Sequence, residues 1–160
     1  MVTSDSLVSF IKERTHRARI TAERVPFGEY NDCTVRATAI ATGAEYGDAH
    51  DMWRTLGHRK HRTAAFWHHA GNIFDAMGYD LKTFAKPANV KTPITAAKFL
   101  PADGVFLLLT AHHVMCMRDG VVQDSFKEDR IRIYKVLECT SNAPAIMAQI
   151  SDQLEMKLWR

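Results

Sequence analysis

The apolar positions along the chain change their period near its middle. From Thr34 to Thr42, the residues Val35, Ala37, Ala39, Ile40 and Ala41 are small and apolar around most of a helical circumference. That pattern predicts a helix packed on several sides, ended by Gly43. Pro26 and Gly28 break the chain ahead of it, and Asn31 and Asp32 stand as two N-cap side chains just before Cys33. A second helix is expected from Asp48 to Leu56, closed by Gly57. A third is expected from Ala64 to Met77, where Phe66, Ala70, Ile73, Phe74 and Met77 form one apolar stripe before Gly78. Near the N-terminus, Ser6 or Asp5 can cap a short helix through Leu7, Val8, Phe10 and Ile11.

The second half reads as strands. A short one is expected from Leu81 to Phe84, then a helix opened by Thr92 and Pro93 and ending near Leu100. Val105 to Leu109 is an apolar run too short for a membrane and suited to a buried strand. His113 to Arg118, the pair Asp119-Gly120, and Val121 to Phe126 match a two-residue type I′ hairpin. A further strand is expected from Arg130 to Leu137 and a C-terminal helix from Ala143 to Leu158. Helices first and antiparallel strands second is the order of an α+β fold, with N-terminal helices packed on a C-terminal antiparallel β-sheet. A chain of 160 residues with 46% hydrophobic content suits a single domain over residues 1–160.

Charge changes this picture little. A formal net charge of +3 with eight histidines is far from the basic excess that by itself argues for nucleic acid or an anionic membrane. Cys33, Cys116 and Cys139 are odd in number and widely spaced. They form neither a disulfide framework nor paired zinc knuckles, which predicts a reducing compartment and a cytoplasmic location. The segment from Met1 to Arg14 fits neither a signal peptide nor a membrane span. His50, His58, His61, His68 and His69 lack the HExxH spacing and a nearby Cys pair, so no metal and no cofactor are expected. Trp53, Phe66, Trp67 and Phe74 sit at helical spacing and read as core.

The candidate chemistry starts at Cys33. A thiol in the first turn of a helix has its thiolate favoured by unpaired backbone amides and the helix dipole; the alternative is a small buried hydrophobe. The two-residue turn pairs Arg118 with Val121, Met115 with Asp124 and His113 with Phe126. His113, Met115 and Met117 then share a face with Val122, Asp124 and Phe126, so His113 and Asp124 are diagonal neighbours about 7–8 Å apart at the backbone. An Asp on an apolar face needs a partner, and the pair suits a general base with its orienting carboxylate. The alternative is a buried pair that only fixes the hairpin. His112 points the other way, with Val114, Cys116 and Gln123, and a one-residue slip would exchange it with His113.

The segment Asn31-Asp32-Cys33-Thr34-Val35-Arg36-Ala37-Thr38-Ala39, then Gly104 to Leu109, His113-Val114, Asp119-Gly120 and Asp124-Ser125, resembles the papain-like cysteine peptidases. The similarity is strongest to the small leader-peptide-processing type and to compact bacterial and phage-encoded relatives, and it spans residues 28–137. It implies a papain-like fold and a catalytic set of Cys33 as nucleophile, His113 as base and Asp124 as its orienting group. A peptide or protein substrate follows, cleaved through an S-acyl intermediate by a peptidase or isopeptidase. The family commonly places an oxyanion-stabilising Gln before the cysteine; here none precedes Gln123, leaving Asn31 as oxyanion donor or merely helix cap. Related folds border the cleft with a loop like Gly57 to Arg62, which makes His58, Arg59, Lys60 and His61 substrate-contact candidates; that loop alone reads as an anion or nucleic-acid contact, or as a solvated connection. An amidase or transglutaminase-like acyltransferase, and a catalytically idle domain binding a host protein or nucleic acid, stand as alternatives.

Overall fold

The computed structural model describes residues 3–4, 16–65, 67–123 and 130–158, the side chains of 144–149 excepted. The helix expected through Leu7 to Ile11 and the strand residues from Asp124 to Phe126 lie outside these. Residues 16–24 are helical and place Ile20 in the core. They are tied to the next helix by Arg19, whose guanidinium donates to the carbonyls of Ala44 and Ala39 at 2.9 and 3.3 Å.

Helix α1 (Cys33–Thr42) buries every residue from Thr34 to Ala41. Its small side chains allow close approach on several sides, as the all-round apolar pattern implies. Thr38, the polar residue at its centre, is fully engaged. Thr38 Oγ1 donates to the Thr34 carbonyl at 2.7 Å and accepts from the Trp53 indole at 2.9 Å. At its C-terminus, Gly43 takes the left-handed conformation (φ 73°). Arg118 and Tyr79 donate to the carbonyls of Ile40 and Thr42, each at 2.7 Å. Those bonds anchor the C-terminal end of α1 on the sheet.

Helix α2 (Tyr46–Thr55) begins two residues earlier than its sequence suggests and buries Tyr46, Ala49 and Trp53 along one face. The third helix is shorter than expected. Ala64 and Ala65 are irregular, Trp67–His69 form a 3-10 turn, and only α3 (Ala70–Ala76) is α-helical. The apolar stripe from Ala70 through Ile73 and Phe74 is buried, and Trp67 stacks on Trp53, ring centroids 5.7 Å apart, with its edge contact on Phe74 at 6.3 Å. Helix α4 (Pro93–Phe99) opens with a reciprocal Thr92/Thr95 capping box and Pro at its start. Helix α5 (Ala143–Leu158) closes the described chain.

The five strands are β1 (Tyr79–Phe84), β2 (Val105–Leu109), β3 (Val114–Arg118), β4 (Val121–Gln123) and β5 (Lys135–Ser141), ordered β1-β5-β2-β3-β4 with every neighbour antiparallel. Asp119 and Gly120 have φ of 56° and 76°, the two positive values a type I′ turn demands, and Arg118 faces Val121 as expected. The last strand differs from expectation. Ile131 and Ile133 pack into the core without joining the sheet, the Ile133 N–H bonding the Lys91 carbonyl in a loop at 2.9 Å, and β5 starts only at Lys135.

Alternation divides the core between the two faces of the sheet. Leu107, Leu109, Val114, Cys116, Leu137 and Cys139 meet α1, α2 and α3. Phe106, Leu108, Met115, Met117 and Val136 meet α4 and Ile133. The chain is therefore an α+β fold whose N-terminal helices pack against a following antiparallel sheet. Among the described residues, no helix is long and apolar enough to cross a membrane.

Candidate active site

The approach to the α1 tip is shaped by backbone that few residues adopt. Gly28 and Asn31 have φ of 58° and 55°, left-handed conformations that Gly and Asn tolerate best. Asp32 then occupies the N-cap position without giving α1 a side-chain cap. This corrects the expectation of a capping side chain, and the physical reason is a stronger set of partners. Both Asp32 oxygens are taken by Arg24 (3.0 and 2.9 Å), Arg36 (3.2 Å) and the Tyr46 hydroxyl (2.7 Å). The carboxylate is buried, so each charge-assisted bond counts; removing one partner of such a buried pair typically costs about 3–5 kcal/mol. Helical bonding begins only with the Arg36 N–H on the Asp32 carbonyl at 3.0 Å.

The tip presents Cys33 to the start of β3. Burial by itself would raise the pKa of this thiol. Hydrogen bonds from the His113 side chain and the Val114 backbone N–H, with the nearby charges of His113 and Arg36, outweigh it and lower the pKa below that of an ordinary cysteine. Cys116 is driven strongly upward by complete burial and by Cys139, and burial pushes Cys139 to about 12. All three are free thiols; only Cys33 combines partial exposure with hydrogen-bond donors to sulfur.

The sequence argument assigned His113 to the face of Met115, Met117 and Val122. Those three do pack together, on the face turned away from α1. His113 nevertheless meets Cys33, because it lies just before β3 begins at Val114 and is not held to the alternation of the strand. The preceding bend fixes His113: the Thr110 N–H and hydroxyl both donate to the His113 carbonyl, at 2.9 and 3.0 Å. His112 is exposed beside it.

A cavity of about 370 Å³ opens at the thiol, lined by Cys33 and Thr34 from α1, Ala64, Ala65 and Trp67 from the segment before α3, residues 109–114, and Tyr134. Apart from its two histidines, no side chain lining it is charged. It admits a neutral group against carbon and aromatic surface, the composition expected of an organic ligand site.

Of the other residues singled out from the sequence, Asp124 lies outside the described residues, one position after the last paired residue of β4, Gln123. Asn31 is exposed and does not line the cavity. In the basic loop only Arg59 is turned inward. Arg59 is buried and pairs with Glu29 at 2.6 Å, and His61 lies 3.3 Å from the same carboxylate and 2.8 Å from the Phe27 carbonyl. His58 and Lys60 are exposed. None of these four lines the cavity. Among the described residues, no group of three or more His, Cys, Asp or Glu is placed to hold a metal ion.

Sequence reasoning passed over Trp67 and Tyr134, which line the cavity, and Asp32 and Glu29, which hold its approaches. Arg36 four residues after Asp32 was a readable signal. Glu29 gave none, since Arg59 lies 30 residues away. No protein-family model, curated protein or solved structure matches the chain.

Proposed function

We propose that the protein is a thiol hydrolase with a papain-like arrangement, a cysteine peptidase or isopeptidase working through an S-acyl enzyme. One observation carries this reading: a partly exposed thiol at a helix tip, hydrogen-bonded by an imidazole at the mouth of a neutral cavity, with its pKa lowered despite burial. The order of elements, with a cysteine-tipped helix packed on a following antiparallel sheet, supports the papain-like comparison.

In this reading His113 takes the Cys33 proton, giving a thiolate and an imidazolium. The sulfur adds to the substrate carbonyl carbon, and the C=O electron pair moves onto oxygen. Backbone N–H groups at the α1 tip, which Asp32 leaves uncapped, stabilise that oxyanion in place of the Asn31 amide. Collapse expels the amine, which takes the proton from His113, and leaves a thioester. Water then gives its proton to His113 and attacks the thioester, releasing the carboxylic acid and restoring the thiol. Asp124 is assigned the orientation of the His113 ring. The substrate is a peptide or protein whose acyl-side group packs against Ala64, Ala65, Trp67 and Tyr134.

For the binding-only alternative, Arg59 and Arg62 are committed to Glu29 and to the Gly28 carbonyl, which leaves the exposed His58 and Lys60 to make the contact. Treatment with a panel of acyloxymethyl ketone, epoxide and vinyl sulfone peptides, followed by mass mapping, tests the proposal. It expects an adduct on Cys33, absent from Cys116 and Cys139, and strongly diminished by His113→Ala. An unmodified Cys33, or modification indifferent to His113, would remove the enzyme reading.

A further inference from the structure

Beside the thiol site lies a second buried carboxylate that the proposed chemistry does not use. The Glu29 side chain is fully buried. It accepts from Arg59 at 2.6 Å, from the Arg62 backbone N–H at 3.1 Å and from His50 at 3.0 Å, with His61 at 3.3 Å. The backbone around it is bound to the same loop. The Phe27 carbonyl meets His61 at 2.8 Å, the Gly28 carbonyl accepts from Arg62 at 2.9 Å, the Tyr30 carbonyl accepts from Arg59 at 3.4 Å, and the Arg62 guanidinium lies 5.2 Å from the Tyr30 ring centre. Each residue from Phe27 to Tyr30 is thus fastened to the loop from Arg59 to Arg62.

The two fastened segments lead to opposite sides of the cavity. Tyr30 is three residues ahead of the thiol of Cys33, and Arg62 is two residues ahead of the wall formed by Ala64, Ala65 and Trp67. Helix α3 begins only beyond that wall, the 3-10 turn starts within it at Trp67, and Ala64 and Ala65 have no regular backbone ladder of their own. The clamp therefore fixes the end of the wall nearest Arg62, while Trp67, stacked on Trp53, fixes its other end. Desolvation raises the Glu29 pKa, but Arg59, His50 and the Arg62 N–H overcome it and hold the carboxyl near 2, so it stays ionised in any ordinary buffer.

We infer that Glu29 is a positioning residue for the Cys33 site: by pinning the loop from Arg59 to Arg62 onto the segment that enters α1, it sets the width of the acyl-binding cavity without touching the thiol. The inference rests on the proposed hydrolase reading and adds to it the role of the basic loop. That loop acts as a strap fastened through Arg59 and Arg62.

Two electrophiles separate cavity shape from thiol chemistry. Iodoacetamide is small and reports the thiolate; a benzyloxycarbonyl-capped dipeptide vinyl sulfone must also fill the cavity. Glu29→Gln is expected to slow Cys33 modification by the vinyl sulfone at least tenfold, while the iodoacetamide rate and its pH midpoint stay within twofold of the unaltered chain. Should that variant fail to fold, the double variant His61→Ala, Arg62→Ala loosens the exposed side of the strap and is expected to give the same split at threefold or more. Rates that fall together, or a vinyl sulfone rate that does not change, would overturn the positioning role. Failure of both reagents to modify Cys33 in the unaltered chain would instead overturn the hydrolase reading itself.

Discussion

The tip of α1 and the interior of the sheet each hold cysteine, and the same side chain has opposite acid–base character in the two. Cys116 and Cys139 lie among Leu107, Leu137 and the buried helices, where the thiolate finds no donor and the pKa climbs. Cys33 is also penalised by burial, yet His113 and the Val114 N–H more than return the loss. What separates the acidified thiol from the other two is the pair of hydrogen-bond donors at its sulfur. It also separates two ways of holding structure. The sheet interior is held by apolar contact, whereas the tip is held by two buried carboxylates, Asp32 and Glu29, with their guanidinium partners.

Breaking the comparison at the tip carries the largest expected effect. His113→Ala removes the donor that acidifies Cys33 and the proposed base, and turnover should fall by about 10²- to 10⁴-fold; steady-state kinetics with unchanged thermal unfolding would check it. In the sheet interior the expected loss is of stability rather than chemistry. Leu107→Ala, at a fully buried residue facing Cys116, should cost about 2–5 kcal/mol in urea unfolding and leave Cys33 alkylation at low urea unchanged.

Acid should distinguish the regions next. The Glu29 carboxyl is held near 2 in the fold against 4.5 for an ordinary one, so its contribution is complete above about pH 4.5 and is lost as pH falls toward 2. Glu29→Gln should accordingly flatten the acid limb of a stability profile in that window, while Leu107→Ala should shift the whole profile without changing its slope. The smallest effect is expected at the hairpin turn. Gly120→Ala forces a side chain into φ 76° with its Cβ 3.2 Å from that of Ala102, costing about 1 kcal/mol or more and lowering the melting temperature with little change at Cys33.

Where one local rule decides an element, the chain was readable before its coordinates were. Asp119-Gly120 demanded a type I′ turn and fixed the pairing of Arg118 with Val121. The small apolar run after Cys33 demanded a helix buried on several sides, and Gly43 ended it. Reading failed where distant partners compete with local preference. Asp32 looked like a cap because a cap and an ion-pair acceptor use the same atoms, and only the fold brings Arg24 and Tyr46 to it. Ala64 to His69 had helical composition, but the preceding loop is fastened to Glu29 and Trp67 is drawn onto Trp53. Ile131 and Ile133 alternate like a strand yet bury themselves from a loop. At the candidate site, Cys33 and His113 were both named from the sequence, although alternation put His113 on the wrong face for the helix it meets.

The account turns on whether the donors at the start of β3 acidify the thiol at the helix tip. The direct measurement is the rate of iodoacetamide modification of each cysteine as a function of pH, resolved by mass mapping, in the unaltered chain and in His113→Ala. The account predicts a Cys33 midpoint below the ordinary value of about 8.5 that rises when His113 is removed, with Cys116 and Cys139 unmodified in the folded protein. A Cys33 midpoint at or above that value, or one that ignores the loss of His113, would contradict it.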